Sequence, residues 1–138
     1  MSAHQVYRSR QNTGAMRIDV ILGLYDQALE RIRQAQDALR DADAVRASGC
    51  IAKAELAVSG LVCGVQGHAD AVSQNFLRLY DFVTRNLRAK DVKSLAAATQ
   101  VLMTLREGFS SVREEAQRLE RDGVIPPMDR TSTAQLTA

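Results

Sequence analysis

Apolar side chains recur every three or four positions through four long segments of this chain, and this spacing restricts its fold most. The first segment has a stripe whose members lie 3, 4, 3, 4, 3 and 4 residues apart: Ile18, Ile21, Tyr25, Ala28, Ile32, Ala35 and Leu39. A period near 3.6 is typical of amphipathic α-helices, whereas half-buried strands alternate with a period of two. The sequence therefore predicts an all-α protein.

The turn residues between the stripes divide the chain into four predicted helices. We expect them over about residues 16–40, 44–66, 71–89 and 92–122. Three aspartates, Asp43, Asp70 and Asp91, precede the last three helices, where a side-chain oxygen can cap the first turn. Short turns between long helices make consecutive helices antiparallel, so the predicted architecture is an antiparallel up-down-up-down four-helix bundle.

The two ends of the chain differ in composition from the bundle between them. Residues 1–14 are mostly polar and form a predicted N-terminal arm, which Tyr7 could pin to the bundle. Residues 15–122 form the predicted helical bundle. Residues 123–138 begin with the helix-stop residue Gly123 and contain two prolines and a Ser/Thr run, so we expect a disordered tail.

The second predicted helix contains three glycines, Gly49, Gly60 and Gly64. Each costs about 1 kcal/mol of helix propensity relative to Ala. Two explanations are open at this stage. The glycines either allow close packing against a neighbouring helix, or they line a groove that admits another chain.

No constellation of residues indicates catalysis, a cofactor or a metal site. The histidines are His4 and His68, and neither has a Glu three residues before it, as a di-metal carboxylate bundle requires. Cys50 and Cys63 lie thirteen positions apart on one predicted helix, about 20 Å along its axis and beyond disulfide reach. We therefore expect a non-enzymatic protein without a cofactor.

Charge and hydropathy also limit the classes of partner. The chain has 18 basic and 16 acidic residues, and this balance gives no reason to expect nucleic-acid binding. No apolar run approaches the ~20 residues that span a bilayer. The first twelve residues lack the apolar core of a signal peptide, so the sequence predicts a cytoplasmic protein without membrane insertion.

Several large apolar side chains lie beside the stripes that form the predicted core. They are Leu24, Leu56, Val62, Leu77, Phe82 and Met103. Such an excess suits the binding of a partner helix in an apolar groove. The alternative is that these side chains complete the core or form a homodimer interface.

Five segments, in order, carry a resemblance to a known family. They are Tyr7 in the arm, Val-Ile-Leu-Gly-Leu-Tyr-Asp at 20–26, the Lys-Ala helix segment at 51–61, Asn-Phe-Leu-Arg-Leu-Tyr-Asp-Phe at 75–82, and Leu-Arg-Glu-Gly-Phe at 105–109. The pattern resembles the flagellin-specific export chaperones of bacteria, the FliS family. Phe109 stands where that family has Trp.

The resemblance implies a bundle that holds the disordered C-terminal segment of flagellin in the cytosol, prevents premature polymerisation and delivers it to the export gate. It also implies that the arm occupies part of the client groove through Tyr7 until the client arrives. The predicted partner-binding residues are Tyr7, Leu24, Tyr25, Leu56, Leu61, Leu77 and Tyr80. The alternative function is a self-associating helical adaptor or scaffold that binds no flagellin.

Overall fold

A computed structural model describes residues 13–123, with side chains described for all of them except residues 13–16, 116 and 120. This part of the chain contains four helices and no strand, which confirms the all-α prediction. The helices are α1 (Thr13–Arg40), α2 (Ala44–Val65), α3 (Ala71–Ala89) and α4 (Val92–Arg121). Tyr7 and the predicted tail from residue 124 onward lie outside the described residues, and α1 begins three residues earlier than predicted.

Contacts between helices give their relative directions. Leu24 and then Gln34 of α1 contact Gly60 and then Cys50 of α2, so the order reverses along the chain. Arg88 of α3 contacts Glu55 of α2 through an ion pair of 3.1 Å. These contacts fit the predicted antiparallel four-helix bundle, in which each helix turns back on the previous one.

The three predicted aspartate caps are confirmed. The carboxylates of Asp43, Asp70 and Asp91 accept hydrogen bonds from backbone N–H groups three residues later, at 3.0, 2.8 and 2.8 Å respectively. At Asp70 and Asp91 the hydrogen bond from the Ser backbone amide, and then one from the Ser hydroxyl, hold the pKa of the carboxyl below its usual value. Each cap satisfies a donor that the first helical turn leaves open.

The described chain divides into two compact units. The larger unit, Gly23–Arg106, contains α2, α3 and the adjoining parts of α1 and α4. The smaller unit combines residues 13–22 with residues 107–123, and an ion pair of 2.6 Å joins Asp19 to Arg113 within it. The buried apolar residues all belong to the larger unit, and no charged side chain is buried among the described residues.

The inward side of α2 carries the stripe that its apolar spacing of 4, 3, 4, 3 and 4 residues predicts: Ala47, Ile51, Ala54, Val58, Leu61 and Val65. The first five are buried, and Val65 is half-buried. Outside this stripe and Ala57, the residues of α2 are half-buried or exposed. Among residues 13–123, α2 is the one helix that is long and apolar enough to cross a membrane. Its most apolar 18-residue stretch has a mean hydropathy of 1.4, and 28% of that stretch is buried. Core helices meet the same criterion of length and composition, so this is weak support for a membrane span.

Candidate partner-binding surfaces

The two Leu-Tyr-Asp triplets meet through their tyrosines. Tyr25 of α1 and Tyr80 of α3 are buried, and their hydroxyl oxygens lie 2.7 Å apart in a hydrogen bond. Their ring centroids are 6.5 Å apart, and Phe76 stacks on Tyr80 at 5.9 Å. The triplets therefore join α1 to α3 in the core of the larger unit.

The chemistry of this pair is structural. Burial raises the pKa of both tyrosines, and the hydrogen bond between the two hydroxyls raises the pKa of Tyr25 further. Both hydroxyls are therefore neutral at physiological pH. A buried hydroxyl that is paired in this way fixes the position of its ring and avoids the cost of an unmade hydrogen bond.

The aspartates of the two triplets have different partners. Asp26 pairs with Arg106 of α4, with the shorter of two contacts at 2.5 Å, and so connects α1 to α4. Asp81 pairs at 3.0 Å with Arg85, which lies one turn further along the same helix. The first aspartate therefore joins its helix to another one, whereas the second aspartate pairs within its own helix.

Close packing within the monomer explains one of the three α2 glycines. A Cβ atom at Gly60 would lie 3.1 Å from Cδ1 of Leu24, so the glycine lets α1 pack directly against the α2 backbone. Gly49 and Gly64 have open space where a Cβ would lie. Close packing, the first of the two explanations that the sequence leaves open, therefore does not account for these two glycines.

Gly49 belongs to a second apolar stripe on the solvent side of α2, which we call the outer face. Its six members are spaced 4, 3, 4, 3 and 4 residues apart: Val45, Gly49, Ala52, Leu56, Ser59 and Cys63. All six are exposed, with Leu56 73% and Val45 85% accessible, and none carries a charge. Of these six, only Leu56 is among the predicted partner-binding residues, and Gly49 is one of the glycines for which the sequence leaves a groove open as an explanation.

A second uncharged surface lies between α3 and α4. A shallow hollow of about 180 Å³ is lined by Leu79, Gln100, Val101, Thr104 and Leu105. Phe82 and Met103, two of the excess apolar residues in the sequence, are also exposed, by 39% and 48%. Val62 is half-buried and offers less surface.

A comparison with protein families then bears on these surfaces. The profile of the family described as "Flagellar protein FliS" matches residues 1–116. The chain belongs to the FliS family. The match includes the arm and all four helices as far as the last turns of α4, and it makes the protein a flagellar export chaperone. No individual curated protein matches the sequence significantly.

The FliS-family resemblance seen in the sequence is thus confirmed, and the structure locates six of the seven predicted partner-binding residues. Tyr25, Leu61 and Tyr80 are core residues, with accessibilities of 0%, 3% and 2%. Leu24 and Leu77 are half-buried, Leu56 is exposed, and Tyr7 lies outside the described residues. Leu24 of α1 contacts Gly60, which lies about one turn beyond Leu56 on α2, so Leu24 packs against the part of α2 that carries Leu56. A role of these residues in partner binding stays a prediction.

Two further hollows in this FliS-family protein are lined mainly by polar side chains. One measures about 840 Å³ and is lined by residues of α4, namely Ser111, Glu114, Glu115, Gln117, Arg118 and Arg121. The other measures about 500 Å³ and is lined by Gln34, Asp37, Arg40, Asp41, Arg46 and Cys50. Arg40 pairs with Asp37 and Arg46 with Asp41, so its charges neutralise one another. Among the described residues no group of His, Cys, Asp and Glu side chains could hold a metal ion.

Proposed function

We propose that this FliS-family protein binds the C-terminal segment of flagellin in the cytosol, prevents its premature polymerisation and delivers it to the export gate. One observation supports this most strongly: a long uncharged helix face is exposed on a member of a flagellar export chaperone family. An exposed apolar patch on a small protein is a typical mark of a protein-binding site.

In this proposal the chaperone covers apolar stripes on the terminal segments of flagellin. The terminal segments of flagellin form helices in the filament, where their stripes are buried against other subunits. Before export, the same stripes would drive assembly in the wrong place. Folding such a segment on a chaperone costs about 2–5 kcal/mol in ordering, so the contact area must be large. An exposed helix face of several turns supplies part of that area without ATP.

Isothermal titration calorimetry of the full-length protein with a flagellin C-terminal peptide tests the proposal. We expect saturable heat with a Kd in the micromolar range or tighter, because apolar burial has to exceed the ordering cost. A peptide of the same composition in scrambled order is the control. An absence of heat from the native peptide at tens of micromolar would contradict the proposal.

The N-terminal arm could act on client binding through Tyr7 in one of two ways. If Tyr7 occupies part of the client site in the free protein, Tyr7→Ala leaves client affinity unchanged or raises it, because a competing state is removed. If Tyr7 touches the client, the same substitution weakens binding. The calorimetric experiment separates these two roles by the sign of the change.

A self-associating adaptor or scaffold is the second candidate, since an exposed apolar face could also meet another copy. Light scattering after size-exclusion chromatography distinguishes the two. A chaperone forms a complex of defined stoichiometry with flagellin. A scaffold forms oligomers on its own and does not shift when flagellin is added.

A further inference from the structure

Two of the longest helices, α1 and α4, each contain a glycine that helix packing does not explain. Gly23 lies inside α1 and Gly108 inside α4, and both are exposed. A Cβ at either position would lie in open space, so neither glycine serves the close approach of another helix. Glycine weakens a helix relative to Ala, because it has more conformational freedom to lose on folding. Each of these helices therefore has a weak point in its interior.

The two weak points lie at nearly the same level of the α1–α4 pair. The register of the pair follows from two ion pairs, in which Nε of Arg113 lies 2.6 Å from Oδ1 of Asp19 and Nε of Arg106 lies 2.5 Å from Oδ1 of Asp26. Seven residues separate the partners along α1, and seven separate them in the opposite direction along α4. In this antiparallel register the two glycines are offset by one residue, about 1.5 Å along the axis.

The same ion pairs join the two helices on both sides of the glycines. Asp19 and Arg113 lie on the side of the chain ends, whereas Asp26 and Arg106 lie on the side of the larger unit. A bend in one helix alone would stretch these contacts. A weak point at the same level in each helix lets both helices bend together while both contacts are kept.

Burial also changes at this level. The boundary between the larger and the smaller unit falls between residues 22 and 23 in α1 and between residues 106 and 107 in α4. The buried residues belong to the larger unit, and no described side chain of the smaller unit is fully buried. Sharp bends in helices occur mostly at proline, at glycine with serine, or at bulges. Ser110 and Ser111 closely follow the α4 glycine, and no buried side chain beyond it holds the helix straight.

We propose that α1 and α4 bend together at the level of Gly23 and Gly108, so that the smaller unit moves about this level as one body. Hinges in proteins consist of a few residues, often small ones, that absorb the change in backbone angles. Residues 1–12 precede the α1 part of the smaller unit, and residues 124–138 follow its α4 part. One bend therefore repositions both chain ends, including Tyr7. The hinge is a property of the free protein and does not depend on the function proposed above.

Double electron–electron resonance on the full-length protein, spin-labelled at pairs of cysteines, measures this motion. Cys50→Ala leaves the exposed Cys63 of α2 as the labelling site in the larger unit. Gln117→Cys adds an exposed site in the smaller unit, and Gln100→Cys, in a second protein, adds one in the larger unit. We expect the distribution of distances from Cys63 to be at least about twofold broader for position 117 than for position 100.

Gly23→Ala/Gly108→Ala is the decisive variant, and Gly49→Ala on α2 is its control. All three glycines are helical and exposed, with open space where a Cβ would lie, so the variants should keep or raise the melting temperature. The hinge variant should narrow the distribution between Cys63 and position 117 about twofold, because Ala restricts the backbone where the helices bend. Gly49→Ala should leave that distribution unchanged.

A third label pair distinguishes a hinge from local unfolding of the helix ends. Arg17→Cys with Gln117→Cys, in a protein whose native cysteines are both replaced by Ala, places both labels at exposed sites in the smaller unit. If the smaller unit moves as one body, this distribution is as narrow as the one within the larger unit. A distribution as broad as the one between Cys63 and position 117 would overturn the hinge.

Three results with the other two label pairs would also contradict the hinge. Equal widths for positions 100 and 117 in the protein with both hinge glycines would mean that the helices do not bend there. An unchanged width in Gly23→Ala/Gly108→Ala would mean that these glycines do not permit the motion. The same narrowing in Gly49→Ala would mean that the effect comes from helix stability in general.

Discussion

The two sides of α2 carry stripes of the same spacing, but only one of them is covered. On the inner side, Ala47, Ile51, Ala54, Val58 and Leu61 are packed to accessibilities of 3% or less. On the outer side, a stripe of equal regularity is open to solvent. Periodicity reports which residues share a face of a helix, but it does not report whether the same chain covers that face.

Truncating one large side chain on each side of α2 gives the largest expected contrast. Ile51→Ala should lower the free energy of unfolding by about 2–5 kcal/mol, because it leaves a cavity in the core. Leu56→Ala should change it by less than about 0.5 kcal/mol, because its side chain is 73% exposed. Urea unfolding followed by circular dichroism measures both. A cost for Leu56→Ala as large as that for Ile51→Ala would show that the outer face is covered after all.

The tyrosine pair tests the covered side further. Tyr80→Phe removes the hydroxyl that bonds Tyr25 and should cost about 1–3 kcal/mol, whereas the double Phe variant should cost less than the sum of the two single variants. Urea titrations of the three variants measure these differences. Strict additivity would mean that the two hydroxyls are not coupled.

The same pair predicts a loss of stability in alkali. Burial raises the folded pKa of both tyrosines above the unfolded value near ~10, so their contribution is fully present below pH ~10 and is lost as pH rises through the folded values. The free energy of unfolding should fall above pH ~10 in the wild type. The fall should be shallower in the double Phe variant, and an identical fall in both would contradict this assignment.

Glycine substitutions sharpen the comparison at smaller energies. Gly49→Ala should stabilise the protein by about 1 kcal/mol, because helix propensity improves and nothing is displaced. Gly60→Ala should be at least about 1 kcal/mol less favourable, because its Cβ would crowd the side chain of Leu24 at 3.1 Å. Thermal unfolding separates the two, and equal gains would mean that Leu24 moves away without cost.

Thiol reactivity compares the faces without changing stability. Cys63 lies on the outer face and is exposed, whereas Cys50 is half-buried with its Sγ 3.9 Å from Oε1 of Gln34. Iodoacetamide should therefore modify Cys63 faster than Cys50, as read by mass spectrometry. Bound flagellin peptide should protect Cys63 if the client covers the outer face, and undiminished labelling in the complex would show that it does not.

The sequence predicted the fold because its signals are local. Heptad stripes and Asp caps depend on neighbours within a turn or two, and the caps at Asp43, Asp70 and Asp91 appear where expected. The candidate site was harder, because exposure depends on distant parts of the chain. Tyr25 and Tyr80 belong to sequence motifs that resemble those of a binding family, yet their side chains fill the core.

The residues of the outer face, in contrast to the two tyrosines, are exposed although most of them are not predicted partner-binding residues. Small residues such as Ala52 and Ser59 are as common in tightly packed helix contacts as on open surfaces, so only Leu56 of this stripe is among the predicted partner-binding residues. Gly60 and Gly49 look alike in the sequence, but Leu24 occupies the space beside one and nothing occupies the space beside the other. That difference arises from tertiary packing, which no local pattern records.

The aspartate caps also determine how the protein responds to acid. The hydrogen bonds at Asp70 and Asp91 lower the pKa of each carboxyl, so their contribution is present above the unfolded pKa of ~3.9 and disappears as pH falls through the lowered values. No charged side chain is buried among the residues whose side chains are described, so acid does not protonate a carboxylate in the interior of that part of the chain. Acidification below pH ~3.9 should therefore fray α3 and α4 from their first turns while the tyrosine pair still joins α1 to α3.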